Sequence, residues 1–232
     1  MNKILLSFAI SFCLQWSYSQ EQASETPELD NNYKEDQFYF GVTYNLLSQK
    51  PSNVSQSGFS SGFHFGYIKD MPINKKRNVA IGLGLGISTN SFNQNMLIDK
   101  IDGNYVYSVL NGAEMPYSKN KFTMYLVEAP LEFRWRTSTP SEYKFWRIYT
   151  GFKLGYLVAN SSKFIGDSQN IKHSNIADFN RLQYGLTLSA GYNTWNVHLY
   201  YALNTIFNND AKISNDALNM SAVKIGLMLY LL

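Results

Sequence analysis

The 232-residue chain carries 16% aromatic and only 16% charged residues at a mean hydropathy of −0.25, where about 25% charged is usual in soluble domains. No stretch after the first twenty residues resembles a transmembrane helix, so the apolar residues are dispersed, as in strands that show lipid every second residue. The net charge of +3 is unevenly placed, an acidic stretch preceding residue 37 and a net +7 following it. That +7 spreads over strands and loops without a basic stripe, which argues against nucleic acid as a partner.

The N-terminus reads as an export signal spanning residues 1–19. Lys3 supplies the positive charge, Ile4 to Leu14 the apolar run, and Ser17 and Ser19 the small residues before a cut at Gln20. Cys13 is the only cysteine, and bulky Phe12 before it argues against lipidation. Cleavage leaves a mature chain that no disulfide can staple. Residues 20–36 hold Glu21, Glu25, Glu28, Asp30, Glu35 and Asp36 against Lys34, and read as an acidic disordered linker. Residues 37–232 form one barrel domain.

From there the hydrophobic period is two almost everywhere. Phe38 to Leu46 alternates, as do Phe59 to Tyr67 and Val79 to Ser88, the last with Gly82, Gly84 and Gly86 on its small face. A fourth segment sets Val127, Ala129, Leu131, Phe133 and Trp135 against Glu128, Pro130, Glu132, Arg134 and Arg136. Pro130 there marks a bulge or a local break, because proline cannot donate to a ladder. Trp146 to Val158, Leu182 to Tyr192, Trp195 to Leu203 and Val223 to Leu231 complete eight alternating segments.

A soluble sandwich would bury the large apolar face. Here the other face is rich in glycine with isolated charges, which suits the narrow interior of a small barrel. The fold class is therefore all-β, an eight-stranded antiparallel up-and-down transmembrane barrel of the outer membrane. The gaps run 48–56 then 69–78, of similar length, after which long ones at 91–120, 161–178 and 208–218 alternate with short ones at 137–143 and 193–194. An even strand count then leaves both termini on the short-turn, periplasmic side.

The inward face carries Glu128, Glu132, Arg134, Arg136, Arg147, Lys153 and Lys224. These read as a lumen charge network of ion pairs, joining Glu128 or Glu132 to Arg147 or Lys153, because an orphaned charge in a narrow barrel is costly. His64 and His198 also face inward and His173 lies in a loop. No spacing among them singles out a catalytic triad or a metal site. The glycines of 82–86 recur every two residues with no helix after them, so they are not a nucleotide loop. No cofactor or small-molecule substrate is implied.

The stretch NKFTMYLVEAPLEFRWRTSTPSEYKFWRIYTGFKLGYLVANSSKF, Asn120 to Phe164, resembles the most characteristic segment of the PorT family, called SprT in gliding bacteria. RLQYGLTLSAGYNTWNVHLYYALN, Arg181 to Asn204, and the opening QFYFGVTYNLL are similar to the same family. The resemblance implies a component of the type IX secretion system of Bacteroidota, which exports folded cargo and, in gliding species, motility adhesins. It brings no catalytic motif. An eight-stranded barrel is too narrow to pass protein, so the implied role is an accessory one with outer-membrane lipid and other envelope proteins as partners. The alternatives are a generic small structural or adhesion barrel of the OmpX type, or an outer-membrane lipid or peptide hydrolase. Processing is expected between Ser19 and Gln20; intact mass of the membrane-extracted protein checks this, and a diacylated Cys13 as first residue would refute it.

Overall fold

The structure, a computed structural model, describes residues 34–112, 115–137, 145–214 and 216–231. The signal segment and most of the acidic segment lie outside the described residues. Among the described residues, thirteen strands follow in chain order. They are β1 (Gln37–Ser48), β2 (Ser61–Pro72), β3 (Val79–Asn93), β4 (Met96–Ile101), β5 (Asn104–Val109), β6 (Tyr117–Arg136) and β7 (Trp146–Gly166). Then come β8 (Asn170–Ser174), β9 (Leu182–Tyr192), β10 (Trp195–Ala202), β11 (Lys212–Ile213), β12 (Asp216–Ala217) and β13 (Ser221–Leu231).

Eight of these close a ring in the order β1-β2-β3-β6-β7-β9-β10-β13, all antiparallel, with β13 returning to β1 from Phe38↔Leu231 to Ser48↔Ser221. Each barrel strand pairs with the one before and after it along the ring, so this is a closed up-and-down barrel without a free edge. The remaining strands belong to the connections. β4 and β5 form a hairpin over one mouth, β11 and β12 a smaller one, and β8 adds to the outer end of β7.

Side-chain alternation follows the ring. Phe38, Phe40, Val42 and Tyr44 are exposed, while Tyr39, Thr43 and Asn45 between them are buried. Leu85, Leu199 and Leu227 point out, and Gly84, His198 and Gly226 point in. The exposed face ends in two aromatic girdles. Phe38, Tyr67, Trp135, Trp146, Tyr192 and Trp195 ring the short-turn end, and Tyr44, Tyr125, Tyr156 and Tyr201 the long-loop end. From Tyr125 to Trp135 the rise is about 26 Å, at ~3.4 Å per residue and a ~40° tilt. That matches the roughly 25 Å apolar band of membrane barrels.

The break expected at Pro130 is present on one side. The β3–β6 register holds Leu83↔Leu131 and Gly86↔Glu128 but no pair between them. On the other side a bulge sets Val158 and Ala159 of β7 against Tyr125. Gly82 is needed for a different reason. It lies between Asp70 of β2 and Glu132 of β6, and a Cβ there would sit 2.7 Å from Arg134 Nε, so its bareness lets Arg134 cross to Asp70.

The strands run further than their apolar alternation. β3 extends to Asn93, β6 begins at Tyr117 and β7 ends at Gly166, so much of what reads as loop is strand. Past the girdle the pattern inverts. Lys119 and Lys121 face out, while Phe122 and Met124 are buried inside. An outward position in water is polar, and the inward ones pack against the loops. Phe92, Phe122, Phe179 and Phe207 stack there with centroids 4.5–5.5 Å apart, joined by Met96, Ile98, Ile206 and Leu218. Each buried phenylalanine contributes about 1.5–3 kcal/mol by leaving water. The long-loop mouth is thus closed by an apolar stopper.

Replacing exposed Leu227 by Arg should cost about 2–4 kcal/mol at the bilayer midplane and impair membrane folding. Gly226→Ala should act otherwise, since its Cβ would meet the β1 backbone at Val42 and Thr43. Heat-modifiable gel mobility of the refolded variants checks both; wild-type folding of Leu227→Arg would reverse the inside–outside assignment.

Candidate functional site

Among the described residues, the barrel interior gathers a dense set of chemistry-bearing side chains. All seven residues of the expected lumen network are buried: Glu128, Glu132, Arg134, Arg136, Arg147, Lys153 and Lys224. They divide into two clusters along the axis.

Near the short-turn end, Asp70 of β2 is the hub. It accepts two bonds from Arg136, at 2.9 Å from Nη1 and 2.8 Å from Nη2, and one from Arg134 Nη1 at 3.1 Å. Such a forked pair is the strongest geometry available to a carboxylate. Arg134 Nε also reaches Glu132 on its own strand at 3.0 Å. Glu35 completes the cluster. Its carboxylate lies 3.7 Å from Arg136 Nη1, its carbonyl accepts from Arg134 Nη1, and its N–H donates to Asp70 Oδ2. Tyr149 lies under the Arg134 guanidinium at 4.6 Å and meets Tyr230 edge to face.

At mid-depth Glu128 is the hub. Lys153 Nζ lies 3.3 Å and His64 Nδ1 3.4 Å from Glu128 Oε2, and Ser88 Oγ donates to Oε1 at 2.7 Å. Lys224 rests over the Tyr200 ring at 4.7 Å, a cation–π contact rather than an ion pair. His198 pairs with Ser189 at 2.7 Å.

The partners differ from the expected ones in three respects. Glu128 and Lys153 do meet across neighbouring strands, but Glu132 pairs within its own strand. Arg147 has no carboxylate partner among the described residues and stacks instead on Phe145 at 4.5 Å, because Asp70 is already taken by the two β6 arginines. Asp70 and Glu35 are absent from the expected network altogether. Asp70 falls in a stretch read as a turn, yet the β2 alternation carries on through Gly66, Ile68 and Asp70 on the inner side. Glu35 belongs by sequence to the acidic linker, whereas it is fully buried in this cluster. Apolar alternation cannot reveal it, since it precedes the first strand.

Thr43, His64 and Glu128 stand in the order of a hydroxyl–imidazole–carboxylate relay, with Thr43 Oγ1 3.2 Å from His64 Nε2. The chemistry does not follow. Thr43 Oγ1 donates to Asn45 Oδ1 at 2.9 Å, so its proton is not offered to the imidazole. The cavity beside Glu128, Lys153 and Gln183 measures about 20 Å³, room for one water. Among the described residues no group of three or more His, Cys, Asp or Glu side chains could hold a metal ion. What the arrangement can do is hold the wall together and fill it. Above it, Tyr107 of β5 donates to Asp178 Oδ2 at 2.8 Å, and burial first, then this bond, raise its phenol above the ordinary range.

Glu128→Gln should destabilise the barrel by about 3–5 kcal/mol, because Lys153 is left buried without its partner, and Glu128→Gln with Lys153→Met should cost less. Urea unfolding from bilayers measures both; a double variant weaker than the single one would refute the pairing.

A family match agrees with the architecture. Residues 18–208 match the family described as outer membrane protein beta-barrel domain. No curated protein matches the chain in sequence. Among solved structures it is similar to Ail, the attachment invasion locus protein of Yersinia pestis, at 14% identity over 85% of this chain and 97% of that one, with a TM-score of 0.34. A closed ring of eight strands with a girdled apolar exterior, matched over most of its length, makes this chain a member of the outer membrane protein beta-barrel domain family.

Proposed function

We propose that this outer-membrane barrel is a non-enzymatic accessory or assembly component of type IX protein secretion, acting through contacts with other envelope proteins. The observation that carries the reading is the filled lumen. Two charge clusters and a phenylalanine stopper occupy it, with a cavity for one water between. Such a barrel passes neither folded cargo nor ions, so its work lies on its rims and its outer wall.

The resemblance to the PorT/SprT family supplies the pathway. Its most specific stretch coincides with the β6–β7 hairpin, the longest pair in the ring. The arginines of that stretch, Arg134, Arg136 and Arg147, build the inner charge layer or stack beside it. The motif thus supplies the inner charge layer of the barrel, which supports a contact role over a hydrolase. With both termini periplasmic, the apolar stopper and the extended strands face outside the cell. A second reading, a structural or adhesion barrel, is favoured by one feature: β6, β7 and β8 continue as a sheet beyond the girdle.

A deletion strain, complemented by the wild-type gene, separates the two. Loss of secreted protease activity, with loss of colony spreading in a gliding host, is the expected outcome. Unchanged secretion with reduced attachment would replace this reading by the second.

A further inference from the structure

The outer wall above the girdle holds an arrangement that neither the lumen nor the secretion role uses. Lys121 of β6, Lys163 of β7 and Lys172 of β8 are register partners in one row across three adjacent strands. Lys119 is the next outward position on β6, and Lys119, Lys163 and Lys172 are exposed. Like charges directly opposite on neighbouring strands repel, their Cβ atoms being about 5 Å apart. None of the four has a carboxylate within ion-pair distance among the described residues. The row is unfavourable unless an anion lies over it.

Below it the wall is dented. An apolar groove of about 420 Å³ runs on the lipid-facing surface between Phe40, Phe63, Phe65, Ile87, Tyr125 and Val127. The dent sits where β7 bulges at Val158 and Ala159 against Tyr125 and where the β3–β6 ladder lapses beside Pro130. Its volume falls within the roughly 300–1,000 Å³ of ligand sites. Groove and row share one column of β6: Val127 and Tyr125 line the groove, buried Thr123 follows, then half-buried Lys121 and exposed Lys119. Lys121 stands about 10 Å above Tyr125, at ~3.4 Å per residue and a ~40° tilt. An apolar slot at membrane depth with cations one headgroup above it matches one kind of molecule.

We infer that this face is a binding site for a phosphorylated membrane lipid, one acyl chain in the groove and its headgroup phosphate on Lys121, Lys163 and Lys172. The charge of the row selects a headgroup of net negative charge over a zwitterionic one, and the groove selects a lipid over free phosphate. In the orientation proposed above, the lipid is an outer-leaflet glycolipid.

The test uses the mature chain refolded in neutral detergent and lipid A as probe, with retained lipid counted by native mass spectrometry. Wild type should retain lipid A and release it when the phosphates are removed enzymatically. Lys121→Gln/Lys163→Gln/Lys172→Gln should weaken retention about 100-fold, at about 1 kcal/mol per lysine and 1.4 kcal/mol per tenfold. Lys50→Gln/Lys212→Gln, elsewhere at the same end, should leave it unchanged. Ile87→Trp fills the groove and should weaken retention with every lysine in place. Heat-modifiable mobility verifies that each variant is folded. Undiminished retention in the triple variant, equal retention of dephosphorylated lipid A, or inorganic phosphate bound as tightly as the lipid would each overturn the assignment.

Discussion

The forked pair between Asp70 and Arg136, shared with Arg134, is the contact on which the interior depends. Closing eight strands leaves a lumen too narrow for bulk water, so every inward charge must find its partner within the ring. Arg134 and Arg136 sit on one face of one strand, and Arg147 stands opposite Arg136 in register. Three guanidiniums packed at one level would repel. Asp70 reaches the two β6 arginines from β2, across Gly82, and Glu35 enters from outside the ring to add a further carboxylate. The third guanidinium is left to aromatic rings. The placement of Gly82, Tyr149 and the chain entering β1 all follow from that arrangement.

The ring itself was legible because lipid imposes a rule that composition obeys. Each barrel strand shows hydrocarbon at alternate positions, so Leu83, Leu85 and Ile87 announce both the strand and its outer face. The rule lapses where lipid ends. Beyond Tyr125 the outward positions become Lys121 and Lys119 and the apolar ones turn inward as Phe122 and Met124. A reader following greasy positions loses the strand at that inversion, and the stretch from Ser91 to Asn120 reads as loop. An exchange of polarity at constant phase, polar out and apolar in, was the signal that the strand continued into water.

The candidate site was legible in membership and less so in pairing. Periodicity places Glu128, Arg134 and Lys153 inside, since it fixes faces. It does not fix which carboxylate meets which cation, because in a narrow lumen partners lie across the ring as readily as along it. Asp70 meets Arg136 with β3 between their strands. The intervening Gly82 is bare and lets that contact form, so this glycine of β3 carries information about an ion pair as well as about strand coiling.

A filled interior also decides where function can reside. Residues that a soluble enzyme would expose in a cleft are spent here on holding neighbouring and next-but-one strands together, and Glu128 binds Lys153, His64 and Ser88 at once. Specificity for anything outside the barrel must then come from surfaces that the fold does not need. The β6–β7 hairpin supplies both kinds of surface on opposite faces of the same strands. Its inner face is committed to charge pairing and to the stopper. Its outer face passes from hydrocarbon through an aromatic girdle to a row of lysines that no contact in the fold requires. A substitution on the inner face acts through stability, because it orphans a partner, while one on the outer lysines removes repulsion and leaves the fold intact. The two faces of one hairpin thus separate what the barrel needs to exist from what it presents to the membrane.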